Sequence, residues 1–302
     1  MKNTIGVAIF FCTILLLNYS YAEETVSSPF RIGFSSSMFT DVNENDAKAA
    51  TKIWAQMLIK EQNLPLDPDP LIFKDIDTML LSMQSKQLAC VSILVTEYDR
   101  FRRTINFDDQ FFVSYNSGSI TEKYILIVHQ NNSVKSLADL RGKTLNLQIH
   151  SRMCIAPLWL DILLIKQGYP DALHFAGKIN RETKLSKVIL PVFFRKADAC
   201  LVTRKGFETM SELNPQMSKQ LTVIAESPEI VPVIFAFRAD YMPNYIEKIY
   251  LSLKTLQKTP AGQQVLTIFQ ADKLDLVPSS CIDTALEVIS SYEKLIGNKQ
   301  KP

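Results

Sequence analysis

Three consecutive residues, His150-Ser151-Arg152, stand where this chain could do chemistry. They follow an apolar alternating run (Leu145, Leu147, Ile149) and precede a pattern from about Ile155 that places Ala156, Trp159, Leu160 and Leu163 on one helical face. The first pattern predicts a strand and the second a helix. Pro157 suits the first helical turn and Gly168 a terminator. A loop between a strand's end and a helix's start presents unpaired N–H groups and the positive end of the helix dipole, an arrangement that suits an anion. Arg152 would add a planar fork able to hold an oxyanion or carboxylate through two parallel bonds, and Ser151 either a hydroxyl for the same anion or an ordinary helix N-cap.

Two other strand exits are polar. Phe30 to Phe34 alternates as a first strand and runs into Ser35-Ser36-Ser37, and a strand near 197–203 ends in Thr203-Arg204-Lys205. Of the two cations, Arg204 is the better candidate for an anion, because a flexible ammonium such as Lys205 is ordinary at a solvated helix start. Cys154 beside a helix start, with His150 four positions earlier, or a Ser151–His150 pair, would be the material of a secreted hydrolase or transferase; a small buried residue explains Cys154 equally well. His129, His150 and His174 are isolated, and no H-E-x-x-H, C-x-x-C, G-x-S-x-G, P-loop or G-x-G-x-x-G pattern occurs. No metal site and no cofactor is therefore expected.

The elements that must position these residues need an export context and more than one core. Lys2, an uncharged apolar run from Ile5 to Leu17 and Ser20-Tyr21-Ala22 describe a cleavable signal peptide over residues 1–22, with cleavage after Ala22. The remaining 280 residues or so exceed what one core usually holds, so two lobes are expected. Without Lys2, 32 basic residues face 31 acidic ones, and no basic block or basic helix face stands out, which argues against nucleic acid as a partner. Cys90, Cys154, Cys200 and Cys281 are widely spaced; export permits disulfides, but buried free thiols account for Cys90 and Cys200.

Periodicity gives a β-α-β-α-β order over residues 30–95, which favours parallel strands with helices on their faces. A second series follows from Tyr124 to Ala225, with strands at 124–129, 145–149, 173–175, 197–203 and 221–225 and a helix over 182–195 that Pro191 should kink or end. A strand at 231–237 and helices near 243–258, 260–269 and 282–295 close the chain.

SLADLRGKTLNL (136–147) closely resembles the segment that precedes the ligand loop in periplasmic solute-binding proteins of the phosphate/phosphite/phosphonate class. KADACLV, LTVIAESPEIVPVIF, FRADYM and TLQKTPAGQQVL follow in that family's order, so the resemblance covers most of residues 29–270. It implies an α/β, two-lobed type 2 periplasmic-binding-protein fold with mixed sheets flanked by helices. Residues 29–115 and 231–302 would form one lobe and 116–230 the other, with two hinge crossings near 113–119 and 227–231. It implies a monomeric, non-enzymatic periplasmic receptor that closes on a small, anionic ligand and passes it to an ABC permease, or alternatively presents it to a membrane sensor protein.

The resemblance places Tyr98 where an aromatic hydroxyl contacts ligand, and the ligand-binding set becomes Ser35, Ser36, Tyr98, Ser151, Arg152, Thr203 and Arg204. The chain also departs from the family. His150-Ser151-Arg152-Met153 stands for Ser-Thr-Ser-Gly, Gly177-Lys178-Ile179-Asn180 lacks a histidine, and Arg204-Lys205 is basic where amine-binding relatives carry a carboxylate, so an aminophosphonate is disfavoured.

The mature protein should be recovered from the periplasmic fraction with an intact mass that begins at Glu23; a membrane-bound form retaining residues 1–22 would overturn the signal reading.

Overall fold

Eleven strands carry the architecture of the computed structural model, which describes residues 31–40, 42–241 and 243–299. The expected signal peptide, its cleavage point and the start of the first strand at Phe30 lie outside the described residues. In chain order the strands are β1 (Ile32–Ser35), β2 (Leu71–Phe73), β3 (Cys90–Leu94), β4 (Phe107–Tyr115), β5 (Tyr124–His129), β6 (Thr144–Gln148), β7 (Lys178–Glu182), β8 (Ala199–Thr203), β9 (Leu221–Glu226), β10 (Val233–Arg238) and β11 (Lys273–Pro278). They form a six-stranded sheet, β11-β4-β10-β3-β1-β2, and a five-stranded sheet, β7-β6-β8-β5-β9. The first sheet thus draws on both ends of the described chain and the second on its middle.

In the first sheet β1 pairs in parallel with β2 and β3, while β10 and β11 run antiparallel to their neighbours. Parallel neighbours require crossovers, and helices Glu44–Gln62 and Ile76–Gln84 supply them. Each starts on a side-chain cap: Asn43 accepts from the Asn45 N–H, and Asp75 accepts from the N–H groups of Asp77 and Thr78. The longer helix buries Ala47, Ala50, Trp54 and Leu58, which recur at helical spacing on one face, and stops at Asn63 in the left-handed region.

The passage between sheets is a double crossing. After β4 the chain turns at 116–119, and Glu122 then exchanges both backbone hydrogen bonds with Ile230 at 2.8 and 2.9 Å. Ser227 closes the same ladder, its hydroxyl accepting from the Tyr124 N–H at 2.8 Å. On one side of the crossing the apolar core is continuous, running from Met79 and Val91 through Tyr124 and Val128 to Trp159 and Ile289. The C-terminal helix, Asp283–Lys299, packs against helix Ala156–Lys166 of the second sheet's layer as well as helix Val95–Phe101 of the first.

Several elements differ from the sequence expectation. Residues 172–175 form a helical turn, not a strand, because the Asp171 carboxylate caps the His174 N–H at 3.0 Å. The strand lies just beyond, as β7, an edge strand whose polar sequence (Lys178-Ile179-Asn180-Arg181-Glu182) carries no buried run. Strands β4 and β11 lack a clear alternating pattern for a similar reason: Asp108, Asp109 and Gln110 interrupt one, and Lys273 and Asp275 the other. Helix Leu185–Phe193 passes through Pro191 and ends two residues later, where the Pro191 carbonyl accepts from the Lys196 and Ala197 N–H groups.

Gly177 marks a close backbone approach: a Cβ there would lie 2.4 Å from the Gly142 carbonyl oxygen. Neither backbone can yield without breaking the Gly142 N–H to Phe175 carbonyl bond. Gly177→Ala should therefore destabilise the protein by about 1–3 kcal/mol, read as a lower urea midpoint with an unchanged slope.

Candidate ligand-binding site

The short helical turn Ser151–Met153, directly after β6, holds Arg152 at the seam between the two sheets' layers. His150 caps the turn, its Nδ1 accepting from the Arg152 N–H at 3.1 Å. The Arg152 side chain is buried, 5% exposed. Its Nη1 donates to Glu122 Oε1 at 3.1 Å, and its Nη2 to Ser114 Oγ at 3.0 Å and the Gln270 carbonyl at 3.2 Å. The Tyr124 hydroxyl donates to the Arg152 carbonyl at 2.9 Å. Two neighbours add to the seam: the Ser151 N–H donates to Thr40 Oγ1 at 3.3 Å, and His150 Nε2 pairs with Gln270 Oε1 at 2.8 Å. One turn of the second layer is thereby bonded to Thr40, Ser114 and Gln270 of the first and to Glu122 at the crossing.

Burial pushes the Glu122 carboxyl above the usual carboxylate range, against the opposing pull of Arg152 and Lys205. The protein therefore pays for a carboxylate that water would hold more cheaply, and Arg152 is the nearest compensation.

Arg152 also divides two chambers. On one side lies a polar chamber of about 180 Å³, lined among others by Glu122, Gln148, His150, Thr203, Lys205 and Gly206. Gln148 Oε1 is buried there without a hydrogen-bond partner. On the other side lies an apolar chamber of about 40 Å³ within the first sheet's layer, which Ser151 and Arg152 close. Phe34, Trp54, Phe112, Phe235 and Phe269 furnish most of its wall.

Of the seven residues singled out from the sequence, the structure brings Ser151, Arg152 and Thr203 to these chambers. Ser35 is buried beside them but already engaged, accepting from the Ser37 N–H and donating to Glu97 Oε1 at 2.7 Å. Ser36 begins the short turn after β1 and lines neither chamber. Tyr98 belongs to helix Val95–Phe101, packs its ring on Phe107 and Phe111, each 5.2 Å away, and lines neither chamber. Because β3 passes straight into that helix, the residue presented to Ser35 is Glu97, one position earlier.

Arg204 is likewise turned away. It forms a two-point ion pair with Glu226 on β9 and reaches Glu208 at 3.7 Å, whereas Lys205 enters the polar chamber and donates to the carbonyls of Asn116 (2.7 Å) and Thr121 (3.1 Å). Thr203 caps this helix by accepting from the Gly206 N–H at 3.1 Å, and successive residues on a helix point about 100° apart. Lys205, and not Arg204, therefore lines the polar chamber.

A family model described as ABC transporter, phosphonate, periplasmic substrate-binding protein matches residues 38–279. The chain belongs to this family of periplasmic phosphonate-binding proteins. Solved structures show the same fold at low identity. PhnD1 from Prochlorococcus marinus (MIT 9301), in complex with methylphosphonate, is 15% identical with a TM-score of 0.58, the match covering 88% of this chain and 99% of that one. A binding protein component of an ABC phosphonate transporter from Pseudomonas aeruginosa is 12% identical (TM-score 0.58; 91% and 90% covered). XAC2383 from Xanthomonas citri, bound to chloride ion, is 11% identical (TM-score 0.62; 89% and 99% covered). No curated protein matches the chain by sequence.

As a phosphonate-family binding protein the chain is a periplasmic, non-enzymatic transport component. The Cys154 thiol is pushed up to about 12 by burial and donates to the Pro232 carbonyl, so it supplies no thiolate. His150 Nδ1 accepts from the Arg152 N–H and its Nε2 pairs with Gln270. Among the described residues no group of three or more potential ligands is placed to hold a metal, the four cysteines after residue 22 are free, and no helix is long and apolar enough to cross a membrane.

Removing one member of a buried pair typically costs about 3–5 kcal/mol, and Arg152→Ala should fall in that range in neutral urea titrations. The carboxyl of Glu122 is already raised, and losing Arg152 raises it further. A raised carboxyl favours the protonated folded form, so its penalty is absent below the unfolded value near pH 4 and grows as pH rises through the folded value. Urea midpoints should accordingly show a smaller Arg152→Ala loss in acid than at neutral pH.

Proposed function

We propose that this phosphonate-family protein, after loss of residues 1–22, acts as a single copy that encloses a small anion in the polar chamber and hands it to an ABC permease. The observation that carries the reading is the charge balance around the seam. Arg152 and Lys205 face one carboxylate, Glu122, in a chamber screened from water on several sides. The surplus is one positive charge. A bound monoanion would neutralise it, and the partial exclusion of bulk water at the seam strengthens the attraction relative to free solution.

The donors are also suited to exchange. Lys205 is held by two backbone carbonyls and one guanidinium nitrogen of Arg152 by a hydroxyl and a carbonyl, neutral partners that an oxyanion outcompetes. These groups come from the second layer and the crossing, while Ser114 and Gln270 come from the first. An anion held among them would therefore favour the closed arrangement of the two layers.

Calorimetric titration with methylphosphonate and inorganic phosphate tests this. Lys205→Met should weaken binding roughly tenfold to 150-fold, the usual effect of losing one charge-assisted hydrogen bond. Wild-type affinity in that variant, or equal binding of the uncharged dimethyl ester, would overturn the anion reading.

A further inference from the structure

We infer that the apolar chamber is a second half of the ligand site, taking a short organic substituent that carries one hydrogen-bond acceptor. The ligand would then be an organic anion with its charge in the polar chamber and its substituent among the first layer's aromatics. This rests on reading the seam as an anion site, and the two claims can fail separately.

Three observations carry it. First, Trp54 lines the chamber, is 3% exposed, and its Nε1–H is buried with no acceptor. A buried donor left unpaired is costly, and its ring neighbours Phe34 and Phe235, in T-shaped contact at 6.1 and 5.5 Å, offer no oxygen or nitrogen acceptor. An occupant with a carbonyl or ether oxygen would satisfy it. Second, the wall is aromatic and preformed, with Phe269 stacked on Phe34 at 5.8 Å and Phe112 meeting Phe235 edge to face at 5.9 Å. Third, Arg152 lines both chambers. A ligand whose charged head sits against the guanidinium has its next atoms directed to one side or the other, and only one side is apolar. The small volume limits the substituent to a few heavy atoms.

The probes are inorganic phosphate, methylphosphonate, n-propylphosphonate, 2-oxopropylphosphonate and the neutral ketone 2-pentanone. Affinity should rise about threefold to fourfold per added carbon from methyl to propyl, and the oxo compound should bind roughly twofold to tenfold tighter than propyl. Val233 lines the chamber and is partly exposed, so Val233→Phe can fill it. That variant should lose the chain-length dependence and keep the affinity for phosphate and methylphosphonate.

An independent readout avoids reliance on that variant's folding. The chain has two tryptophans, and Trp159→Phe leaves Trp54 as the emitter. Its emission should shift with the propyl and oxopropyl probes and stay unchanged with phosphate.

Affinities independent of chain length, or a silent Trp54 with every probe, would overturn the inference while leaving the anion site standing. A Trp54 response to 2-pentanone with no binding of any phosphonate would uphold the chamber and remove the anion reading. No binding of any probe would remove both.

Discussion

Burying the Arg152 guanidinium strips it of water, a cost met only because Glu122, Ser114 and the Gln270 carbonyl converge on it from three parts of the chain. Much of the seam's construction follows from that requirement. Glu122 must be presented without freedom, and its reciprocal backbone bonds with Ile230 do this. The turn carrying Arg152 must be held as firmly, and it is gripped by the His150 ring from below and the Tyr124 hydroxyl from behind. Tyr124 is itself fully buried, so its hydroxyl has no cheaper partner than that carbonyl.

The same economy decides which polar groups near the seam remain for a ligand. Ser35 and Thr203 are helix caps, and each already accepts from a backbone N–H group. Arg204 is consumed by Glu226. What remains is an uneven set: a cationic chamber with an unpartnered amide oxygen at Gln148, and an aromatic chamber with an unpartnered indole N–H at Trp54. Unpaired buried groups are rare in folded proteins, and here two of them line adjoining spaces separated by one arginine.

At two places the residue that faces the seam is the immediate neighbour of the one the sequence suggests. Tyr98 and Glu97, like Arg204 and Lys205, are neighbours on a helix that begins directly at a strand's end. Along a strand, neighbours alternate by 180°; along a helix, by 100°. Where the change from one to the other occurs sets which of two neighbours faces the seam, and composition does not reveal it. The apolar chamber was invisible for another reason. Phe34, Trp54, Phe112, Phe235 and Phe269 each satisfy an ordinary core pattern, and no local signal tells a packed aromatic from one that borders a space.

By itself the sequence determined the class of the protein. Its alternating and helical periods mark the parallel β-α-β opening, its family phrases place the chain among phosphonate-type binding proteins, and Ser151-Arg152 at a strand-to-helix junction mark the central turn. These are local properties, set by steric preferences and by which side of an element is apolar. Tertiary structure alone decided that Arg152 is paired with Glu122, that Lys205 and not Arg204 enters the seam, that β4, β7 and β11 are strands despite their charges, and that the C-terminal helix spans both layers. Each of these depends on partners between about 30 and 200 residues away or on edge pairing, where backbone hydrogen bonds and desolvation outweigh the local pattern.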